Sequence, residues 1–329
     1  MSRALLNVSG LSVVFDAGPG RGEARAVDNV DLRLDAGEIL ALVGESGCGK
    51  TLLSLSILGL APRAGRVSAR AVLFQGRNLC GLGEREMESI RGARIGMIFQ
   101  EPMTSLNPVF RAGEQIAEAL RLHKDLGRAQ AAREAVRLLA EAGVPDPERA
   151  AKAFPHELSG GMRQRVMIAM AVSCEPALLI ADEPTTALDV TVQNQILDLI
   201  KGQTQKRGLG VLFVTHNLGV VASIADRVVV MYAGRIVERA DVYSLFDNPR
   251  HPYTQGLLRS LPRPGGERRA LEPIPGTVPS LSELPKGCHF HPRCPEVFDK
   301  CRVKAPPLFD LGKDASSRCW LRETGASRG

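Results

Sequence analysis

The chain has 329 residues, of which 44% are hydrophobic and 4% aromatic, and its formal net charge is +6 with a pI near 9.1. The length allows one large α/β domain and a smaller one. No apolar run reaches the roughly 18–20 residues of a membrane-spanning helix, and the start lacks a secretory signal pattern. We therefore expect a cytosolic protein. The charge is spread out and not interleaved with aromatic residues, so nucleic acid is not expected as a partner.

The first hundred residues predict antiparallel strands followed by a buried parallel strand. Residues 5–15 and 26–34 alternate apolar and polar side chains, which is the pattern of antiparallel strands. Residues 38–44 run from Glu38 to Gly44 and are continuously apolar between these two ends, as expected of a parallel strand that is covered on both faces. A helix is predicted over residues 50–60, and another short buried strand over residues 95–99.

The next part of the chain predicts alternating helices and strands, and the end predicts a tail. Residues 112–142 show helical periodicity and are predicted to form a helical insert. Residues 262–307 are rich in Pro and Gly with little periodicity, which predicts a separate, loop-rich tail. Between these segments the sequence predicts helices over 160–172 and 191–205, and strands over 177–181, 211–214 and 227–231.

One Gly-rich segment between the predicted strand and helix matches the pattern G-x-x-x-x-G-K-[ST] of a P-loop in full. Its glycines would let backbone N–H groups close on phosphate oxygens. Lys50 would hold the β- and γ-phosphates of a nucleotide, and Thr51 would ligate Mg²⁺. The residues of this predicted phosphate site are Gly44, Glu45, Ser46, Gly47, Cys48, Gly49, Lys50 and Thr51.

Cys48 stands at a P-loop position where serine is common. Because backbone groups bind the phosphates there, one interpretation is a neutral replacement. The alternative hypothesis is a thiol whose pKa is depressed by the helix N-terminus. That hypothesis predicts inhibition by thiol reagents against which ATP protects.

A second motif, residues 178–183, is an apolar run that ends in two carboxylates, Asp182 and Glu183. Asp182 at the end of the strand would hold Mg²⁺, and Glu183 would act as the general base toward the attacking water. An apolar run with this ending is weak evidence by itself. Together with the P-loop it predicts nucleotide hydrolysis.

A third motif, residues 158–162 (Leu-Ser-Gly-Gly-Met), opens a predicted helix. Ser159 could simply cap that helix. Capping does not explain Gly160 and Gly161 in the first turn, because glycine weakens a helix. Glycines there would let a phosphate approach bare N–H groups. This second anion site lies far in sequence from the P-loop, so two chains packed head to tail would let each motif meet the γ-phosphate on the other chain.

These motifs resemble those of the ATP-binding-cassette family, and the resemblance covers roughly residues 4–255. It implies that Gln100 is the glutamine that senses Mg²⁺ and water and couples to transport subunits. Asp189 matches the family's D-loop, and His216 matches the switch histidine that holds the γ-phosphate and the water. Phe15 matches the aromatic residue that stacks on adenine, although a strand phenylalanine is more often part of a core.

The resemblance implies an α/β P-loop cassette with a RecA-like core, an antiparallel β subdomain and a helical subdomain over about 101–163. The cassette would end near residue 255, and residues 256–329 would form a small, loop-rich, metal-binding extension. Met162 stands where the family usually has Gln, and we expect activity to survive this change. Four segments resemble the branch of dipeptide, oligopeptide and nickel importers, namely 101–108, 248–262, 274–279 and 287–295.

Four of the seven cysteines cluster near the end with the spacing C-x5-C-x6-C-x17-C, and they are Cys288, Cys294, Cys301 and Cys319. Four thiolates suit either Zn²⁺ or a [4Fe–4S] cluster, and the spacing does not decide between them. His289 and His291 are rival ligands, and buried cysteines without metal are a further alternative. The resemblance implies a [4Fe–4S] cluster. We expect it to be structural or regulatory and remote from the ATP site.

The resemblance therefore implies an ATPase subunit of a bacterial peptide importer at the cytoplasmic face of the inner membrane. Its expected partners are a second, homologous ATPase subunit in a head-to-tail heterodimer, two transmembrane permease subunits and, through them, an extracytoplasmic peptide-binding protein. An importer of nickel or another solute is an alternative, because the ATPase does not touch the solute. A soluble cassette that acts on DNA or ribosomes is a weaker one, since fused cassettes, a long coiled coil and a large insertion are all missing.

Overall fold

The computed structural model describes residues 4–16, 18, 22–101, 105–186, 188–261, 273–281 and 283–323. Parts of the predicted segment 101–108 and of the predicted tail therefore lie outside the described residues. Contacts divide the chain into two compact units, which we describe separately. The first unit comprises residues 1–6, 34–39 and 74–214, and the second comprises residues 7–33, 40–73 and 215–329.

The strands confirm every strand predicted from periodicity and add several short ones. In chain order they are β1 (Leu6–Asp16), β2 (Glu23–Leu34), β3 (Ile39–Val43), β4 (Gly65–Ser68), β5 (Ala71–Phe74), β6 (Arg77–Asn78), β7 (Ile95–Ile98), β8 (Leu178–Asp182), β9 (Gly210–Thr215), β10 (Arg227–Tyr232), β11 (Arg235–Asp241), β12 (Phe309–Gly312) and β13 (Ala315–Ser317).

The helices confirm the predicted positions. The predicted helical insert consists of two helices, because Asp125 adopts a left-handed conformation with φ 52° and ends the first of them. The described helices are α1 (Lys50–Ile57), α2 (Glu84–Glu88), α3 (Ala112–Lys124), α4 (Arg128–Glu141), α5 (Pro147–Lys152), α6 (Gly160–Val172), α7 (Val190–Arg207), α8 (Leu218–Ile224), α9 (Val242–Asp247), α10 (Pro252–Arg259) and α11 (Asp299–Val303). No helix of the described ranges is long and apolar enough to cross a membrane.

The first unit contains three parallel strands and most of the helices. β8 pairs with β7 on one side and with β9 on the other, and all its residues are buried. Parallel pairing brings the carboxyl ends of the strands to one edge, so the residues after β7 and β8 share that edge. Helices α3, α4 and α5 pack on one another, and α6 contacts α3 and α4.

The second unit contains five strands in the order β12-β13-β11-β10-β3, together with the antiparallel strands β2, β1 and β5. β3 and β10 pair in parallel, whereas β10 and β11 form a hairpin. Ala233 and Gly234 both have positive φ in its two-residue turn, as a type I′ turn requires. The predicted extension, residues 256–329, contributes β13, which pairs with β11, so part of it is regular structure that the sequence pattern did not show.

Candidate functional site

The P-loop lies in the second unit, between β3 and α1. β3 is completely buried, and the chain leaves it at Gly44 and enters α1 at Lys50. Gly47 and Gly49 have φ values of +80° and +105°, which residues that carry a Cβ rarely adopt. A Cβ at Gly49 would also lie 2.5 Å from the carbonyl oxygen of Ala26. The backbone path of the loop therefore depends on these two glycines.

The P-loop lysine is buried and held by the loop itself. Only 5% of Lys50 is exposed. Its Nζ donates hydrogen bonds to the carbonyl oxygen of Gly44 at 2.7 Å and to that of Glu45 at 3.0 Å. The ammonium group is thus fixed over the loop, whereas Ser46, Gly47 and Thr51 are exposed.

The structure corrects the hypothesis of a reactive P-loop thiol. Cys48 is completely buried, with 0% exposure. Burial raises the pKa of its thiol, and the nearby Lys50 ammonium, 3.9 Å from the sulfur, offsets this only in part. A thiol with a raised pKa is protonated at neutral pH and reacts slowly. The neutral interpretation of this residue is the one that the structure supports.

The two carboxylates of the acidic motif lie in the first unit at the carboxyl end of β8. Asp182 is 1% exposed and Glu183 is 7% exposed. The N–H of Glu183 donates to the carbonyl oxygen of Val214 at 2.8 Å, and its carboxylate accepts from the Thr186 hydroxyl at 2.8 Å. Glu183 adopts a φ of 50°, an unfavourable conformation for a residue with a side chain and one that is concentrated at functional sites.

Gln100 lies at the same sheet edge, because β7 pairs with β8 in parallel and ends two residues before it. Ile98 of β7 is the register partner of Ala181 in β8. Gln100 is exposed. The structure therefore brings this predicted magnesium-sensing residue to the strand edge that carries Asp182 and Glu183.

The glycine-rich motif forms the start of α6 in the first unit. Ser159 is the N-cap, and its hydroxyl accepts from the N–H of Met162 at 3.3 Å. Ser159 and Gly160 are exposed, and a Cβ built on Gly160 would meet nothing within 4 Å. Ser159 therefore caps helix α6. The cap leaves Gly160 exposed, and none of the described residues lies close enough to require glycine at position 160.

The start of α6 is tied to the neighbouring predicted site residues. The side chain of Gln164 donates to the carbonyl oxygen of Pro184, directly after Glu183, at 2.6 Å. Asp189 caps α7 by accepting from the N–H of Val192 at 2.9 Å. A Cβ at Gly161 would lie 3.2 Å from the Val192 side chain. The motif, the acidic pair and the predicted D-loop residue thus form one connected set.

The two remaining predicted nucleotide contacts belong to the second unit. His216 directly follows β9 and is exposed, and the next residue, Asn217, caps α8 by accepting from the N–H of Gly219 at 3.0 Å. Phe15 on β1 is half-buried, and its ring packs against Gly65, its register partner on β4. Phe15 is therefore a surface-edge aromatic residue and not part of the core.

The four clustered cysteines come together in the second unit. All seven cysteines are free, and four of them line one cavity of about 10 Å³. Burial raises the pKa of Cys294 to about 12 and that of Cys319 to about 11. Among the described residues, no group of three or more His, Cys, Asp or Glu side chains is arranged to hold a metal ion. The thiols that line the cavity are Cys288, Cys294, Cys301 and Cys319.

The two histidines that were rival ligands both contact backbone carbonyl groups. His289 Nδ1 lies 3.2 Å from the oxygen of Ala233, and His291 Nδ1 lies 3.0 Å from that of Cys288. The structure corrects a further expectation, because the cysteine region is not remote from the P-loop. Arg293, next to Cys294, contacts the P-loop residue Glu45. No local sequence pattern predicts this contact, which joins residues 248 positions apart.

Two protein-family models match this chain, one in its first two thirds and one near its end. The ABC transporter family matches residues 27–186, and the C-terminal region of oligopeptide/dipeptide transporters matches residues 237–301. A peptide import ATP-binding protein of Brucella melitensis is 53% identical over 335 residues, covering 97% of this chain and 98% of its own length. The dipeptide transport ATP-binding protein of Escherichia coli is 46% identical over 316 residues, covering 96% of each.

A solved structure gives the corresponding result for the fold. It is the dimeric structure of a post-hydrolysis state of an ATP-binding cassette bound to ADP and Pi. It is 27% identical, aligns with a TM-score of 0.64, and covers 72% of this chain and 98% of that chain. The predicted α/β cassette fold is thereby confirmed.

Proposed function

The chain belongs to the ATP-binding subunits of ABC transporters, and from this premise we propose that it hydrolyses ATP to drive the import of peptides. The single observation that carries the peptide assignment is the match of residues 237–301 to the C-terminal region of oligopeptide/dipeptide transporters. The relatives that match nearly the whole chain carry names of the same kind. A nickel importer is the remaining alternative.

The P-loop would bind the phosphates of ATP. Lys50 would contact the β- and γ-phosphates and Thr51 would ligate Mg²⁺, while backbone N–H groups of residues 44–51 would donate to the phosphate oxygens. Phe15, whose ring is half-buried at a strand edge, would stack on the adenine.

Hydrolysis would depend on the acidic pair and two neighbouring sensors. Asp182 would hold Mg²⁺, and Glu183 would take the proton from the attacking water. Gln100, at the same strand edge, would sense Mg²⁺ and the water. His216 would hold the γ-phosphate. The fixed, unfavourable backbone conformation of Glu183 supports its role as the base, because such conformations are kept where geometry matters.

The bare start of α6 supports a composite site in a dimer. Ser159, Gly160 and Gly161 would contact the γ-phosphate bound to a second, homologous ATPase subunit packed head to tail, with Asp189 close by. Exposed N–H groups at a helix start attract anions, and no side chain blocks Gly160. Dimer closure would move two permease subunits in the inner membrane, which receive peptides from an extracytoplasmic binding protein.

The cysteine-lined cavity supports a metal cofactor in the extension, which we take as residues 256–329 beside a cassette of residues 1–255. Four thiols match a [4Fe–4S] cluster in the type and number of donors, with Zn²⁺ as the alternative, and they would have to move together to hold either, because the described side chains are not arranged around a metal ion. A bound cluster would cross-link the loops of the extension. Iron, sulfide and zinc analysis of anaerobically purified protein tests this: a colourless preparation loaded with zinc would contradict the cluster.

Replacing the proposed base tests the hydrolytic site. Glu183→Gln removes the proton acceptor but keeps size and hydrogen bonding, so ATP hydrolysis by the transporter complex should fall by about 10²–10⁴-fold. ATP binding should remain, and an ATP-bound closed dimer should accumulate in size-exclusion chromatography. Glu175→Gln, an exposed change elsewhere in the same unit, is the control. Unchanged turnover in Glu183→Gln would contradict the assigned base.

A further inference from the structure

The second residue of the P-loop, Glu45, is held by a buried arginine from the C-terminal region. The Arg293 guanidinium donates from Nη1 to Glu45 Oε2 at 2.8 Å and from Nη2 to Oε1 at 3.0 Å. The side chain of Arg293 is 5% exposed and that of Glu45 is 30% exposed. A two-bond pair at this depth fixes the direction of the carboxylate as well as neutralising it.

Arg293 is itself held in place by the loops around it. Its Nε donates to the carbonyl oxygen of Pro275 at 2.8 Å, and its Nη2 lies 3.4 Å from that of Ile274. The guanidinium also lies over the Tyr232 ring, 5.8 Å from the centroid. These contacts fix the position of the guanidinium independently of Glu45. The position of Arg293 therefore depends on the fold of the C-terminal region.

A second residue of the matched C-terminal region, residues 237–301, holds the backbone of Glu45. The N–H of Glu45 donates to the Tyr253 hydroxyl at 2.9 Å, and Tyr253 is completely buried. The carbonyl oxygen of Glu45 accepts from the P-loop Lys50 at 3.0 Å. One residue therefore joins the C-terminal region to the lysine that is proposed to bind phosphate.

The charge of Glu45 gives this contact a consequence for nucleotide binding. An unpaired carboxylate within a phosphate-binding loop repels a polyphosphate, and the repulsion is strong where water is partly excluded. Pairing with Arg293 cancels that charge and holds the carboxylate toward the C-terminal region. Losing the arginine would restore the negative charge and free the first turn of the loop.

We propose that Arg293 is a positioning residue for ATP binding, through which the C-terminal region sets the charge and geometry of the P-loop. This inference rests on the proposed ATP function of that loop. It assigns Arg293 and the carbonyl groups of Ile274 and Pro275 that hold it a part in nucleotide affinity that does not require the extension to touch the nucleotide.

Four full-length variants test the proposal: Arg293→Lys, Arg293→Gln, Glu45→Gln and Glu45→Gln/Arg293→Gln. The measurement is the Kd for a fluorescent ATP analogue with Mg²⁺, alongside thermal unfolding. Arg293→Gln should weaken binding about tenfold, which corresponds to about 1.4 kcal/mol. Arg293→Lys should lose less, because it keeps the charge. The double variant should recover part of the affinity, because it removes the repelling carboxylate, whereas a purely structural role would make it no better than Arg293→Gln.

The control is Arg66→Gln, which breaks an exposed pair with Glu23 in the same unit and should leave the Kd unchanged. In the transporter complex, Arg293→Lys should raise the KM for ATP while kcat is retained. Unchanged affinity in the Arg293 variants, or equal losses in Arg293→Gln and the double variant, would overturn the proposal. If Arg293→Gln does not fold, Arg293→Lys and Glu45→Gln decide the matter. Failure of the unaltered chain to bind ATP would instead overturn the proposed function.

Discussion

Cys48 lies between two glycines of the P-loop, and its side chain is completely buried. From sequence alone, a helix N-terminus favours a thiolate. In the structure, desolvation outweighs the charge of Lys50 and raises the pKa of the thiol. The sequence identifies Cys48 and its neighbours, but it does not show how deeply the side chain is buried. That burial decides whether the pKa of the thiol is raised or lowered.

Alkylation rates test this assignment. Near neutral pH, Cys48 should react at least about tenfold more slowly than the exposed Cys80, because burial limits both the thiolate fraction and access. The rate at Cys48 should rise with pH as the thiol ionises, and MgATP should change it little. Mass spectrometry of peptides after iodoacetamide treatment measures both sites in one sample. Rapid labelling of Cys48 that MgATP prevents would restore the reactive-thiol hypothesis.

For helix α6, the sequence predicts the bounds and the cap but not the surroundings of its two glycines. Its predicted and observed bounds agree, and Ser159 caps it as proposed. The sequence raised the question of why two glycines occupy the first turn, and the structure separates them. Gly161 approaches Val192, whereas Gly160 faces open space. Among the described residues, a packing reason therefore exists for Gly161 and not for Gly160, which is consistent with the proposed phosphate contact.

Gly160→Ala is expected to separate stability from function. The added Cβ meets nothing within 4 Å, so the free energy of unfolding should stay the same or rise by up to about 1 kcal/mol. ATP hydrolysis in the transporter complex should nevertheless fall, because the methyl group lies where a partner's phosphate would approach. The matched control is Gly202→Ala in α7, which is equally open and should leave both quantities unchanged or slightly raise stability. Full activity of Gly160→Ala would argue against a phosphate at this helix start.

The helical insert and the hairpin β10–β11 show where periodicity is insufficient. Periodicity continued from α3 to α4, but the chain turns at Asp125 through a left-handed conformation. The hairpin depends on positive φ at Ala233 as well as Gly234, and alanine carries no turn signal. In both places the turn depends on the backbone conformation of one or two residues, which hydrophobic periodicity does not contain.

At the scale of the whole molecule, the C-terminal region is packed into the second unit around an aromatic cluster. Phe290 is 2% exposed, and its ring lies 5.2 Å from that of Tyr232 and 5.3 Å from that of Tyr253. Tyr253 in turn holds the P-loop. The sequence pattern predicts a separate tail here, because contacts between residues far apart in the chain leave no local signal.

Phe290→Ala should therefore destabilise the second unit as a whole and not the extension alone. Removing a buried phenylalanine costs about 3–5 kcal/mol. Urea unfolding followed by tryptophan fluorescence measures the loss, because the single Trp320 lies in this region. Phe298→Ala, which truncates a partly exposed ring in the same region, is the control and should cost much less. Equal losses from the two substitutions would contradict the packing role of Phe290.

The central claim is that this chain converts ATP hydrolysis into peptide import. The most direct measurement is ATP-driven uptake of a labelled dipeptide into vesicles that contain the complete transporter and its binding protein, with nickel as the competing solute. Uptake of the dipeptide should require ATP and should be abolished by Glu183→Gln. ATP-dependent uptake of nickel without the dipeptide, or dipeptide uptake that survives Glu183→Gln, would contradict it.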